Sequence, residues 1–133
     1  MSFNISTKAV SDTTVLQLRD PVSDAPMFAD EAETQPLTIE IFGKSSKQYR
    51  AALSALSRKS LARKNKPQSF ETNIEDNTDI LVAISKKANN FDMDGVAIDN
   101  AEGFKALYSN PALFWIKDQV QEELENVEAF LQK

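Results

Sequence analysis

Apolar residues along this chain follow two periods. Thr14-Val-Leu-Gln-Leu18 is a short run of strand formers. Leu37-Thr-Ile-Glu-Ile-Phe42 alternates, with Leu37, Ile39 and Ile41 on one face, as a half-buried strand does. Between them lie Asp20-Pro-Val-Ser-Asp-Ala-Pro26, a proline-bearing turn, and the small acidic loop from Ala29 to Gln35. The two strands are predicted to form an antiparallel hairpin closed by a long loop, and Gly43 ends it.

From there the period becomes helical. Ser45 or Ser46 can cap a helix running to about Arg63, with Tyr49, Ala52, Leu53 and Leu56 as its apolar stripe and Pro67 beyond it. Thr72-Asn-Ile-Glu75 has capping-box form and predicts a helix to about Ala88. Asn89-Asn-Phe-Asp-Met-Asp-Gly95 is a turn. Asp99-Asn-Ala-Glu102 is a second capping box, opening a short helix with Phe104, Leu107 and Tyr108. Asn110-Pro111 restarts a helix. The stripe Ile116, Val120, Leu124, Val127, Leu131 carries that last helix to the chain end, with Leu113, Phe114 and Trp115 in its first turn.

The expected fold is α+β: one domain over 1–133, with residues 1–13 as a flexible lead-in, strands over 14–43 and helices over 44–133. A hairpin or small antiparallel sheet packs on three to four helices. The expected core is Val15, Leu16, Ile39, Ile41, Tyr49, Leu53, Leu56, Leu81, Ile84, Phe104, Leu107, Trp115, Ile116, Val120 and Leu124. Phe130, close to the chain end, is expected to be shared with a partner.

Composition narrows the chemistry. The 133 residues include neither Cys nor His. That removes disulfides, thiolate nucleophiles, zinc ribbons, imidazole ligands and Ser-His-Asp triads. The pairs Glu75-Asp76 and Glu122-Glu123 fall on polar helix faces, not in a pocket that would separate two carboxyl pKa values. The expectation is a protein that is not an enzyme and needs no cofactor. No cationic segment leads into an apolar one at the N-terminus, and no apolar run approaches the roughly 20 residues of a membrane span. A cytoplasmic location without membrane attachment is therefore expected.

The net charge of −5 conceals segregation. Residues 1–43 carry −5, residues 44–66 carry +8 with no acid at all, and residues 67–133 carry −8. The basic helix must be covered by acidic surfaces of its own chain or offered to a partner. Nucleic acid is the disfavoured alternative, because the acidic flanks repel a polyanion and no stacking platform accompanies the cations beyond Tyr49. Arg50, Arg58, Lys59, Arg63 and Lys64, with Phe130, are the candidate partner contacts. Asn90-Phe-Asp92-Met-Asp94-Gly95 matches the opening of an EF-hand loop, but the twelfth position is Ala101 rather than the bidentate Glu, so a polar turn is the favoured reading.

One family resemblance spans residues 14–131. Tyr108, Pro111, Trp115, Ile116, Gln119 and Val120 stand in the segment Ala106-Leu-Tyr-Ser-Asn-Pro-Ala-Leu-Phe-Trp-Ile-Lys-Asp-Gln-Val120, which continues to Phe130-Leu131. Ahead of it come Ala25-Pro-Met-Phe28, Leu37-Thr-Ile-Glu-Ile41 and Ser46-Lys-Gln-Tyr49-Arg50. In this order the pieces resemble tail assembly chaperones of long-tailed bacteriophages. The chain departs from that pattern at Ser85-Lys-Lys-Ala-Asn-Asn90, where the family carries Trp and Gly. The resemblance implies a non-enzymatic protein of the bacterial host cytoplasm that contacts tail proteins, either the tape measure protein or the tube subunit. Self-association is a further option.

Overall fold

A computed structural model describes residues 2–63 and 70–131. The two predicted strands are present, β1 (Thr13–Gln17) and β2 (Thr38–Phe42), paired antiparallel with Leu16 opposite Ile39. Leu16, Ile39 and Ile41 point inward and are buried, whereas Val15 is 56% exposed on the outer face, so its place in the expected core is corrected. Strand alternation explains this: Leu16 and Val15 cannot share a face. The long loop keeps strand-like pairing near its base. Leu18 donates to Leu37, and Met27 and Leu37 bond in turn to Leu18 and Met27. Farther out, the Asp30 carboxylate accepts bonds from the backbone of Thr34 and Gln35 and from the Thr34 hydroxyl.

The helix α1 (Lys47–Arg63) is capped by Ser46, whose buried hydroxyl accepts from the Tyr49 amide and donates to the Gly43 carbonyl. It packs along α2 (Phe70–Ile84). Phe70 already lies in α2, so Thr72 is inside the helix and not its cap. The predicted extension of this helix to Ala88 is also wrong. After Ile84 the chain becomes β3 (Ser85–Asn89), which pairs antiparallel with β2 and completes a sheet of order β1-β2-β3. Ser85 marks the switch: its hydroxyl bonds the Leu81 carbonyl and the Tyr108 hydroxyl. A bulge between Glu40 and Ile41 shifts the register there.

The turn beyond β3 is a tight hairpin of β4 (Asp92–Met93) and β5 (Val96–Ala97). Asp94 and Gly95, at φ +54° and +81°, supply the two left-handed residues such a turn demands. Asn100 then caps α3 (Ala101–Ser109), one residue later than the capping box placed it. Asn110 caps a 3-10 turn over Pro111–Leu113, and α4 (Phe114–Glu125) follows.

The last helix does not run unbroken to Leu131. It stops at Asn126, whose side chain caps the single-turn α5 (Val127–Phe130). Val127 is left 64% exposed, and Phe130 swings inward to 4% exposure. This corrects the expectation of Phe130 as a partner contact: it is a core residue. The amide of Ser11 bonds its carbonyl, and Leu131 bridges Val10.

The core lies between the inner sheet face and α2, α3 and α4. It contains Ile39, Ile41, Leu81, Ile84, Phe104, Leu107, Ile116, Val120 and Leu124 as expected. Leu18, Ile98, Tyr108 and Phe130 belong to it as well. Tyr49 and Leu56 are only half-buried and Leu53 is exposed, because α1 has no second layer above it, and Trp115, in the first turn of α4, is likewise only half-buried. Gly43 is required by the Phe130 ring, since a Cβ there would sit 2.5 Å from Phe130 Cε1. Gly43→Ala is accordingly expected to cost about 1–3 kcal/mol of unfolding free energy, measured by urea denaturation.

Candidate docking surface on the basic helix

Helix α1 contributes no buried residue. It packs along α2, where Ala52 and Leu56 line a small cleft together with Ile80 and Ala83, and Tyr49 packs against the core. Two of its cations flank this seam and are neutralised. Lys59 Nζ is 2.6 Å from Asp79 Oδ2. Arg63 holds Asp76 with two parallel bonds of 2.9 and 2.8 Å, and the Asp76 side chain is only 5% exposed. Just before the helix, Lys44 Nζ reaches Glu125 Oε2 at 2.5 Å.

Three other cations of the described residues face away. Lys47, Arg50 and Arg58 are exposed and form no ion pair among the described residues. Arg50 only returns an Nε–H bond to the Ser46 carbonyl. With Ser54 and Leu61 they recur at steps of three and four, which puts all five on one helix face. Leu61 is 73% exposed there. The face spans roughly 25 Å at 1.5 Å per residue over the 17 residues of α1. It carries three positive charges and no acid.

The candidate contacts therefore separate. Arg50 and Arg58 lie on the open face. Lys59 and Arg63 are bound to α2 and hold the helix in place. Phe130 is buried far along the chain from this surface, and Lys64 lies outside the described residues. Lys47 and Leu61 were missed as contacts, although their spacing relative to Arg50 and Arg58 is visible in the sequence.

The motif residues of the family resemblance are structural. Tyr108, Ile116 and Val120 are buried, Trp115 is half-buried, and Pro111 opens the 3-10 turn. Gln119 clamps the backbone of Arg19, accepting from its amide and donating to its carbonyl at 2.8 Å each. At the EF-hand-like stretch, the Asp92 carboxylate accepts from the Gly95 amide within the hairpin. No group of three or more His, Cys, Asp or Glu side chains gathers in metal-holding geometry among the described residues. None of the helices is long and apolar enough to cross a membrane among the described residues.

The hydrogen bond from Lys44 to Glu125 raises the Lys44 pKa above its ordinary 10.5, and the bond from Lys59 to Asp79 does the same for Lys59. Burial raises the Tyr108 hydroxyl above its ordinary 10.0. All three hold their protons more tightly in the folded chain. Their contribution is thus complete below the unfolded values and is lost as the pH rises through the folded ones. Stability should fall above pH 10, read by thermal melts across the alkaline range, and Tyr108→Phe should soften the decline.

No family model matches this chain, and no curated protein or solved structure shows significant similarity to it.

Proposed function

We propose that this chain is a non-enzymatic assembly chaperone or accessory protein that works by protein–protein contact, with phage tail proteins as its partners. The observation that carries the contact reading is the open face of α1. Own-chain acids take up Lys44, Lys59 and Arg63, and leave Lys47, Arg50 and Arg58 projecting as a positive row with no ion pair among the described residues, beside the exposed Leu61. A partner surface with complementary acids gains attraction and orientation from such a row. Leu61 adds an apolar contact for a protein partner that a phosphate backbone would not use. The tail-protein identity rests on the family resemblance alone.

Co-expression with the products of neighbouring tail genes tests this. The expected result is a complex and more of the tail protein in the soluble fraction; neither appearing contradicts it. The same charged row favours a second reading, a small nucleic-acid-binding regulator. In that case mixed-sequence DNA should bind with an affinity that drops steeply with salt. No detectable binding at low salt removes that reading.

A further inference from the structure

A groove of about 520 Å³ lies apart from the open face of α1, between α2 and α4 and beside the end of α3. This size falls within the range of ligand and side-chain pockets. Its walls carry two large apolar side chains in the open, Ile74 of α2 at 44% exposure and Phe114 of α4 at 62%. One helical turn beyond Phe114, the half-buried Lys117 donates from Nζ to the hydroxyl of Thr78 at 2.8 Å. Thr78 itself is only 4% exposed. Lys117 makes no ion pair among the described residues, and the groove's Asp79 is already held by Lys59. Lys105, Glu75 and Asp118 also line the groove and are exposed, so its charges are mixed and Lys117 is the half-buried cation among them.

We propose that this groove is a second docking site, which takes an amphipathic helical segment of a partner protein bearing an apolar anchor and, one turn away, a carboxylate for Lys117. The spacing sets that requirement. Phe114 and Lys117 are three residues apart on α4, and Ile74 and Thr78 four apart on α2, so both walls present an apolar and a polar contact one helical turn apart. The Lys117 ammonium is drawn partly out of water, bonds only a hydroxyl directly and feels Asp118 through its charge alone, so a directly bonded anionic acceptor still adds a charge-assisted bond. Burial holds the Lys117 amine below its ordinary pKa against the opposing pull of Asp118, a cost that an incoming carboxylate would offset. The site goes beyond the tail-assembly reading and does not depend on it.

The test is a titration of the isotope-labelled full chain, followed by amide chemical shifts. Phenylbutyrate, phenylbutanol and a capped helical peptide with Leu and Glu four residues apart serve as probes. Phenylbutyrate should shift Ile74, Thr78, Phe114 and Lys117, and bind about tenfold tighter than the alcohol. Lys117→Met should erase that difference and Lys117→Arg should keep it. Phe114→Ser, at an exposed position, should weaken both small probes. The peptide should shift the same residues and bind tighter than its Glu→Gln form. Equal affinity for acid and alcohol, or shifts centred outside the groove, would overturn the proposal. So would a groove that takes phenylbutyrate but ignores the peptide.

Discussion

Phe130→Ala should lower the unfolding free energy by about 3–5 kcal/mol, the cost of emptying a buried aromatic site. The ring is 4% exposed and lies against Gly43, at the junction between the sheet and the start of α1. It is delivered there by the Asn126 cap, which ends α4 and turns the chain inward. Around it, the Thr14 hydroxyl bonds the Ala129 carbonyl and Val10 bridges Leu131. Emptying the site therefore loosens the seam where the two ends of the chain meet. The control is Phe114→Ala. That side chain is 62% exposed, so its removal should change stability by no more than about 0.5 kcal/mol. Urea denaturation of both variants checks the contrast, and a Phe130→Ala protein as stable as the parent would return this residue to the surface.

Reversing the open face of α1 should have the second large effect, on binding and not on stability. Lys47→Glu, Arg50→Glu and Arg58→Glu together turn a row of three positive charges into three negative ones. No ion pair among the described residues is broken, because the pairs that hold α1 to α2 belong to Lys59 and Arg63. Glutamates at 47 and 50 also suit the N-terminal turn of a helix. Thermal stability should thus stay close to that of the parent. Acidic groups on the partner would now face like charge, which costs several kcal/mol across an interface, so the complex should weaken by at least about 100-fold. Arg63→Met should behave oppositely. It strips a bidentate partner from Asp76 and lowers stability while leaving the open face intact.

Much of this arrangement is legible in the sequence. The strand alternation around Ile39 and Ile41, the Ser46 cap and the Asn110-Pro111 restart are local signals, and each forms as expected. What failed depends on contacts distant in sequence. Ser85-Lys-Lys-Ala-Asn89 has little intrinsic strand preference and becomes β3 because β2 offers a free edge. Leu18 follows a strand and precedes a proline turn, yet the paired base of the loop buries it. The apolar stripe continues at helical spacing through Val127 and Leu131, which hid the break at Asn126 and with it the inward turn of Phe130. The charge segregation was legible as a sum but not as a division. Only the packing of α1 on α2 separates Lys59 and Arg63, which hold the helix, from Lys47, Arg50 and Arg58, which face outward.

One paired measurement addresses that division of the cations directly. The affinity of the proposed partner, a tail protein, for the parent chain and for the Lys47→Glu, Arg50→Glu, Arg58→Glu variant should be compared at one fixed salt concentration, with a thermal melt of each. Coincident melts are expected, with a complex that forms with the parent and is lost in the variant. A variant that melts like the parent and binds the partner equally well would show that the open face of α1 is not where this protein makes its contact.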